Sequence, residues 1–449
     1  MRPSDVRLAP ASASELRRRV AELRPLGSLT PEGALVTESE TRALAELAER
    51  LTNTYPYQDP HYAGQMLAPP HPVAWTAYAT AMLLNPNNHA LDGGPATSAM
   101  EREAVADIAR MLGHERHLGH LTASGTIANL EALWVARELR PGTVLYGANA
   151  HYTHARICQL LGVPHESIPE DGRGRLGVDA LERRLRRSSV ATVVATLGTT
   201  AVGALDPLAE IAELCSAHGA RLHVDAAYGG FFALIAPEVE EAAFAALEGA
   251  ASIVVDPHKH GLQPYGCGCV VFSDPDVARV YEHESPYTYF TSPERHLGEI
   301  TLECSRSGAA AAALWTTLRA LPLTRIGMGR HLSRCRAAAL ALASALARHS
   351  VALVVEPELD IVCCFAPRPR ASQITAASVR AFDVLADEGW HVAKLQLDTR
   401  WLRRTHPHVE PDEPRVSVLR CCLMKDAHAD VTDELAAALA DALIASPPR

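Results

Sequence analysis

Several features that mark other protein classes are missing from this chain of 449 residues. There is no run of about 18 uninterrupted apolar residues, because charged residues break the alanine-rich segments, so we expect no membrane-spanning helix. The N-terminus lacks a basic start followed by an apolar signal core. No basic stripe of the kind that binds nucleic acid is present, and the formal net charge is -10. We therefore expect a soluble, cytoplasmic protein that binds neither membranes nor DNA or RNA.

Paired cysteine motifs are also missing. The ten cysteines include no C-x-x-C pair, and many stand in apolar runs where a thiol behaves as a small hydrophobic side chain. We expect reduced thiols and no metal site. Internal repeats and low-complexity tracts do not occur, and the length with 48% hydrophobic residues favours two or three domains.

The periodicity of the chain divides it into three parts. Residues 1–97 are predicted to form an N-terminal helical arm, with helices at 12–23 and 38–51, and then a polar, irregular segment that either lines a binding pocket or only connects the parts. From 98 to 325, helical and strand patterns alternate, which predicts an α/β fold with a mostly parallel sheet between helices. Residues 326–449 are predicted to form a small C-terminal α+β domain.

Two charged residues stand at the ends of apolar runs in the central part. Lys259 follows the run at 252–255, and Asp225 closes the run at 222–224. A lysine at a strand end can hold an aldehyde cofactor as a Schiff base, and an aspartate at a neighbouring strand end can keep the cofactor's ring nitrogen protonated. The pairing suggests pyridoxal 5'-phosphate. We expect a desolvated lysine with a lowered pKa.

A strand-to-helix junction offers a phosphate site. Ser124, Gly125 and Thr126 stand where a strand passes into a helix, and the free backbone amides of a helix N-terminus bind anions. His258, directly before the lysine, can add a donor. A plain helix cap is the alternative interpretation of the same residues.

Three further residues are placed to contact the ring. Ala227 is small enough to lie against a flat ring, and His151 begins a helix after a strand, where an imidazole can stack on the opposite face. Thr200 can reach the cofactor from a third strand end. Each also has an ordinary role as a cap, turn or surface residue.

Five segments in order resemble the group II pyridoxal-phosphate-dependent amino acid decarboxylases: 122–129, 150–152, 195–200 with Asp206 and Pro207, 223–229 and 256–259. The similarity extends in outline from about residue 56 to the C-terminus. It implies the transferase fold type I, which is aspartate aminotransferase-like, and a homodimer with active sites at the interface. It also implies Lys259 as the Schiff-base lysine, Asp225 as the pyridinium partner and His151 as the stacking imidazole.

The same resemblance implies substrate contacts. Segment 60–66, with Gln65 and Met66, resembles the family's N-terminal substrate-pocket strip, although this pair matches no single substrate class. Segment 305–309 resembles an arginine motif of archaeal decarboxylases and sphingosine-phosphate lyases. Its Arg306 either meets a substrate carboxylate, which would favour Asp or Glu, or ties domains or phosphate together, since a planar guanidinium suits both tasks.

A polar and aromatic loop at 284–291 contains the candidates for a proton donor. In the family, a mobile loop in this region commonly supplies a tyrosine that protonates the carbanion left by CO₂ loss, which implies Tyr287 or Tyr289 here. A packed structural aromatic is the alternative. The chain departs from the family pattern at His260, where many relatives have an aromatic residue.

The expected activity is removal of the α-carboxylate of an L-amino acid to give an amine and CO₂. Two alternatives keep the cofactor and break a different bond or give a different product: an aldehyde-forming oxidative decarboxylase and a retro-aldol carbon-carbon lyase. A non-catalytic scaffold is disfavoured because Lys259 and Asp225 are both present. The sequence leaves the amino acid substrate open.

Overall fold

The computed structural model describes residues 38–282 and 295–444. The chain divides into two units, Met1–Tyr62 and Ala63–Arg449. In the first unit, the pattern at 38–51 forms the predicted helix, α1 (Glu38–Leu51). After it, the rings of Tyr57 and Tyr62 meet edge to face with their centroids 5.0 Å apart. The helix predicted at 12–23 lies outside the described residues.

The second unit contains a seven-stranded sheet built from the alternating part of the chain. Its strands run in the order β1-β7-β6-β5-β4-β2-β3. Only β7 is antiparallel to its neighbours in this described sheet, so the predicted mostly parallel sheet is confirmed. The strands are β1 (Leu118–Thr122), β2 (Val144–Gly147), β3 (His165–Ile168), β4 (Thr192–Thr196), β5 (Arg221–Asp225), β6 (Ser252–Val255) and β7 (Gly268–Phe272).

Helices cover both faces of this sheet. On β6, Val254 packs in one apolar cluster with Ala128 and Ala132, whereas Ile253 and Val255 belong to a second cluster. Successive side chains of a strand point to opposite faces, so both faces are buried, as the apolar strand sequences require. The helices of this part are α2 (Pro72–Met82), α3 (Pro95–Met111), α4 (Gly125–Leu139), α5 (Thr153–Leu160), α6 (Val178–Leu185), α7 (Leu208–His218), α8 (Ala236–Val239), α9 (Glu241–Ala245) and α10 (Ala309–Ala320).

The C-terminal part adds a smaller antiparallel sheet in the order β10-β11-β9-β8. One of its faces packs on helices of this part, and the other joins the core of the larger sheet, since Cys364 and Cys363 of β9 fall in different clusters. The elements are α11 (Gly329–Arg348), β8 (Ala352–Leu353), β9 (Ile361–Phe365), α12 (Ala371–Asp387), β10 (Ala393–Asp398), α13 (Thr399–Thr405), β11 (Arg415–Cys422) and α14 (Thr432–Ile444).

Three local predictions need correction. The helical pattern at 240–247 predicts one helix, but α9 stops at Ala245 and a 3-10 turn, Ala246–Gly249, follows. The pattern at 324–348 predicts a helix over its whole length, but α11 begins only at Gly329, because the amides of Met328 and Gly329 bond to the carbonyls of Pro322 and Thr324 in turns. Helix α13 was not predicted at all. In the described ranges no helix is both long and apolar enough to cross a membrane.

Strand register brings the chain segments of interest to one edge of the larger sheet. Thr196 of β4 pairs with Asp225 of β5, and Asp225 pairs with Val254 of β6. These strands are parallel, so the segments that follow them all leave from the same edge, where ligands of such sheets bind. Thr122 closes β1 opposite Gly268, which brings the start of α4 to this edge as well.

Candidate active site

A cavity of about 200 Å³ lies at this edge of the sheet. Nine of the residues predicted from the sequence line it together: Ser124, Gly125, Thr126, His151, Thr200, Asp225, Ala227, His258 and Lys259. Six more residues complete the wall: Asn129, Thr153, Thr196, Gly198, Tyr228 and Asp256. Segments that are far apart in the sequence therefore converge on one space.

Lys259 is held in the turn that follows β6. Its backbone N–H donates to the carbonyl of Asp256 at 2.9 Å, and its Nζ lies 3.0 Å from Asp256 Oδ2. Burial alone would lower the pKa of Lys259, but the charges of Asp256 and Asp225 outweigh burial and raise it. The predicted lowered pKa is therefore wrong for this state of the protein, because the local carboxylates favour the ammonium form.

Asp225 closes β5 with both carboxylate oxygens held. Oδ1 accepts a hydrogen bond from the backbone N–H of Ala227 at 3.1 Å, and Oδ2 lies 2.9 Å from Nε2 of His154. Burial alone would raise the pKa of Asp225, but the hydrogen bond from His154 and the charge of Lys259 lower it below the usual range. The residue is an anion whose orientation is fixed.

The N-terminus of α4 forms another wall. Ser124 is the N-cap, and its Oγ accepts from the backbone N–H of Ile127 at 3.4 Å. Gly125 follows in close contact with Asp256, because a Cβ at this position would lie 2.6 Å from both of its carboxylate oxygens. The first turn of the helix thus opens toward the cavity without a side chain in the way.

Two histidines of the cavity wall are held in defined tautomers. The carbonyl of Cys267 lies 2.8 Å from His258 Nδ1, so Nδ1 carries a proton and donates. In His151 the same nitrogen accepts a backbone N–H, that of Thr153 at 3.4 Å, so the proton is on Nε2. Burial lowers the pKa of both imidazoles. His258 must gain a second proton before its Nε2 can donate to an anion.

Three predicted residues, Gln65, Met66 and Arg306, do not line the described cavity. Tyr287 and Tyr289 lie outside the described residues. The guanidinium of Arg306 bonds to Glu101 Oε1 at 2.6 Å and to the carbonyl of Leu121 at 2.5 Å. It ties α3 to β1, and both elements lie within residues 98–325. A substrate role for Arg306 stays a prediction.

Sequence reasoning missed three residues of the site. His154 and Asp256 stand three positions from His151 and Lys259, so helix and turn spacing could have drawn attention to them. Arg420 of β11 had no local signal. Its Nη1 donates to the carbonyl of Thr200 at 2.7 Å, and its side chain is buried.

One group of side chains outside the cavity has metal-ligand character. Atoms of His331, Cys335 and Asp426 lie within 4.8 Å of one another. His331 Nδ1 and Asp426 Oδ1 are only 2.5 Å apart and hydrogen-bonded to each other, so these two atoms already satisfy one another. The expectation that the protein uses no metal stays a prediction.

Comparison with known sequences places the site in context. Residues 134–366 match the family model described as the pyridoxal-dependent decarboxylase conserved domain. A probable L-tyrosine/L-aspartate decarboxylase of Methanothrix thermoacetophila is 31% identical over 81% of this chain and 89% of its own length. A probable L-aspartate decarboxylase of Halobacterium salinarum is 32% identical over 74% of this chain and 87% of its own. The L-tyrosine decarboxylase of Enterococcus faecium is 29% identical over 67% of this chain and 66% of its own.

Solved structures share the fold. The crystal structure of mouse CSAD matches with a TM-score of 0.79 at 20% identity, covering 97% of this chain and 99% of that one. That of Oryza sativa TDC with PLP and tryptamine matches with a TM-score of 0.79 at 19% identity, covering 98% and 93%. The predicted fold type is therefore confirmed.

Proposed function

The chain belongs to the pyridoxal-dependent decarboxylase family, and from this premise we propose that the cavity at the strand ends is its active site, with an acidic L-amino acid as substrate. The protein is a pyridoxal-phosphate-dependent carboxy-lyase that removes the α-carboxylate of an L-amino acid as CO₂. One observation carries the assignment of the site. Lys259 and Asp225, 34 positions apart in the sequence, line the same cavity of about 200 Å³.

The residues around the cavity fit pyridoxal phosphate in their chemistry. Lys259 offers an amine, Asp225 an oriented anion, and the N-terminus of α4 offers free amides and hydroxyls for a phosphate. Gly198 and Ala227 leave room for a flat ring, since neither has a bulky side chain. When bound, pyridoxal phosphate supplies an aldehyde carbon that bonds to amines and a protonated ring that accepts the electrons of the broken bond.

We propose distinct tasks for the residues around the ring. Lys259 would hold the aldehyde end of the bound cofactor through its amine. Asp225 keeps the proton on the ring nitrogen, because its lowered pKa makes it a permanent anion at neutral pH. His151 and Ala227 enclose the ring from its two faces. Thr200 lies beside the ring or the substrate.

The phosphate end is assigned to the start of α4. Ser124, Gly125 and Thr126 present the first backbone amides of the helix, where the helix dipole favours an anion. His258 assists once it carries its second proton. These groups would anchor the phosphate end of the cofactor, which is remote from its reactive aldehyde.

The proton that replaces CO₂ on the substrate carbon must come from a group near that carbon. Tyr287 and Tyr289 stay the proposed donors, with Lys259 and His151 as the alternatives. Asp256, 3.0 Å from Nζ, keeps the lysine protonated and therefore able to give up a proton when needed. Gln65, Met66 and Arg306 stay proposed substrate contacts.

Arg420 supports an acidic substrate. Its side chain is buried, and its Nη1 contacts Thr200, which lines the cavity. A carboxylate that departs as CO₂ loses its charge, so a cation held against it would stabilise the substrate more than the transition state. We therefore propose that Arg420 binds a second carboxylate of the substrate, the one in its side chain. This favours L-aspartate or L-glutamate over L-tyrosine.

Borohydride trapping tests the role of Lys259. The chain has three lysines, Lys259, Lys394 and Lys425, so the other two serve as internal controls. Reduction of the protein with bound pyridoxal phosphate should leave the pyridoxyl group on the Lys259 peptide alone, as read by mass spectrometry. Lys259→Ala should lose both the label and the visible absorbance of the bound cofactor, with Lys394→Ala unchanged. Label on Lys394 or Lys425 instead would refute the assignment.

A substrate panel tests the role of Arg420. Purified protein with pyridoxal phosphate should release CO₂ from L-aspartate or L-glutamate faster than from L-tyrosine, with amine as the product and neither aldehyde nor ammonia. Arg420→Gln should raise KM for the acidic substrate about ten-fold or more, since a hydrogen-bonded charge is lost, and change KM for L-tyrosine little. An equal loss for both classes would mean that Arg420 serves the α-carboxylate or the fold.

Three broader assignments belong to the same proposal. We propose a homodimer with active sites at the interface, which light scattering of the purified protein measures directly. We propose a cytoplasmic location, which cell fractionation tests. The division into residues 1–97, 98–325 and 326–449 is likewise proposed, with limited proteolysis as its test.

A further inference from the structure

His154 contacts the carboxylate of Asp225 from the buried side and not from the cavity. Its Nε2 lies 2.9 Å from Asp225 Oδ2, and its side chain is fully buried. Asp225 lines the cavity, whereas His154 does not. Because Nε2 faces the carboxylate of Asp225 and not the cavity, any effect of His154 on the reaction passes through Asp225.

Local sequence explains how the histidine reaches this position. His154 follows His151 by three residues at the start of α5, and its backbone N–H donates to the carbonyl of His151 at 3.1 Å. Residues three apart in a helical turn face the same side. One short segment thus supplies the imidazole in the cavity wall and the imidazole behind the carboxylate.

The second ring nitrogen of His154 decides its charge. Nδ1 is buried and has no hydrogen-bond partner among the described residues. An imidazolium would bury an N–H donor with no acceptor, whereas a neutral ring leaves only a lone pair, which costs less. The geometry therefore favours a neutral ring with its one proton on Nε2, donated to Asp225.

A neutral His154 does not neutralise the negative charge of Asp225, so the carboxylate can pair with another cation. The second histidine of this region, His223, stands two residues before Asp225 on the same face of β5. Its nitrogens are engaged by Asn129 Oδ1 at 2.8 Å and Ser252 Oγ at 2.9 Å, and burial lowers its pKa to about 3. Neither imidazole then neutralises the carboxylate.

We propose that His154 is a positioning residue: its Nε2–H holds Asp225 so that the carboxylate, oriented and fully charged, meets the ring nitrogen of pyridoxal phosphate. The second donor in this arrangement is the backbone N–H of Ala227 on Oδ1, which leaves the carboxylate no freedom to rotate. The inference rests on the proposed function of the site.

Nitrogen NMR of the bound cofactor tests this role without an activity assay. Pyridoxal phosphate labelled with ¹⁵N in its ring should show a protonated nitrogen when bound to the wild-type protein. His154→Leu removes the donor, so the signal should move toward the unprotonated position and the cofactor should bind about ten-fold more weakly. His154→Gln keeps an N–H at similar reach and should restore both readings.

A matched pair between β1 and α4 serves as control. His120 and Glu131 are also fully buried, with Nε2 and Oε2 3.1 Å apart, and they do not line the cavity. His120→Leu should cost stability and leave the ring-nitrogen signal and cofactor affinity unchanged. The same loss in this control, or wild-type readings in His154→Leu, would overturn the inference.

A measurement on the wild-type protein tests the inference even if a variant does not fold. With ¹⁵N-labelled histidine, His154 should show a proton on Nε2 and a bare Nδ1, both with and without cofactor. A proton on Nδ1 would overturn the inference. If the wild-type protein fails to bind pyridoxal phosphate at all, the proposed function fails; if it binds with a protonated ring that His154→Leu does not disturb, only the inference about His154 fails.

Discussion

At the scale of single residues, the charge of Lys259 is set by its carboxylate neighbours. Asp256 lies 3.0 Å from Nζ, and Asp225 adds a second negative charge, so the pKa of Lys259 is raised although burial opposes it. Only a neutral amine attacks an aldehyde. Capture of the cofactor must therefore wait for the lysine to lose its proton, and that step becomes easier as pH rises.

This leads to a pH prediction for cofactor capture. Below the pKa of Lys259, the neutral fraction and the rate of reconstitution should rise with pH. Asp256→Asn removes the carboxylate that raises the pKa most, so the profile should move to lower pH and the rate at neutral pH should increase several-fold. Stopped-flow absorbance of the apoprotein mixed with pyridoxal phosphate measures both.

Two controls separate the effect of the Asp256 charge on Lys259 from other effects of the substitution. Pyridoxine phosphate lacks the aldehyde, so its affinity in wild type and Asp256→Asn measures the effect of the substitution on binding that does not involve the proton of Lys259. Asp107→Asn, on α3 beside Arg110, should leave the capture profile unchanged. An unshifted profile in Asp256→Asn would show that Asp256 does not control the proton of Lys259.

At the scale of elements, the site is assembled by parallel strands that end at one edge and by the start of α4. Each strand brings a short segment to the cavity, and the helix brings amides that have no partner within the helix. Gly125 is the tightest point of this assembly, because Asp256 leaves no space for a side chain there. The close approach of helix and carboxylate requires glycine for steric reasons alone.

Gly125→Ala should therefore damage the site without unfolding the protein. The added Cβ would meet both oxygens of Asp256 at 2.6 Å, so the carboxylate or the helix start must shift. We expect pyridoxal phosphate to bind on the order of ten-fold more weakly, as loss of a hydrogen bond to a charged group would cause. Gly249→Ala, where a Cβ meets nothing within 4 Å, is the control and should bind normally. If titration with pyridoxal phosphate gives the same affinity for Gly125→Ala and Gly249→Ala, the steric argument is wrong.

At the scale of the whole second unit, buried polar contacts of Asp360 join the C-terminal part to the site. Asp360 Oδ2 lies 3.2 Å from His260 Nε2, and Asp360 Oδ1 accepts from the hydroxyl of Tyr228 at 2.6 Å. His260 directly follows Lys259, and Tyr228 lines the cavity. The histidine that departs from the family pattern thus has a structural partner, and Asp360 holds two strand-end segments at once.

Asp360→Ala should lower the free energy of unfolding by about 3–5 kcal/mol, because a broken buried pair leaves its partner uncompensated. Burial alone would raise the pKa of Asp360, but His260 and Tyr228 lower it. A carboxyl with a lowered pKa in the fold stabilises above its ordinary pKa, and this stabilisation is lost as pH falls through the lowered value. The variant should accordingly lose less stability on acidification than wild type.

Urea unfolding followed across acidic and neutral pH checks both effects. Asp433→Ala removes an exposed aspartate whose contact is with Arg348 at 3.3 Å, and it should change little, since exposed ion pairs contribute little. If Asp360→Ala behaves like Asp433→Ala, the buried pair does not hold the C-terminal part to the site.

What the sequence determined by itself was local and periodic. The strand patterns at 165–168 and 361–365 and the helical patterns at 38–51 and 432–444 predict β3, β9, α1 and α14 with their observed bounds. These elements depend on neighbours along the chain, so periodicity finds them. Strand ends also located nine cavity residues, because parallel strands must finish at the same edge.

Tertiary structure decided what depends on distance through space. The contact of His154 with Asp225 joins residues 71 positions apart, and the approach of Arg420 to Thr200 joins residues 220 positions apart. No local pattern encodes such pairs. Electrostatic and hydrogen-bond energies fall steeply with separation, and only the folded chain sets those separations.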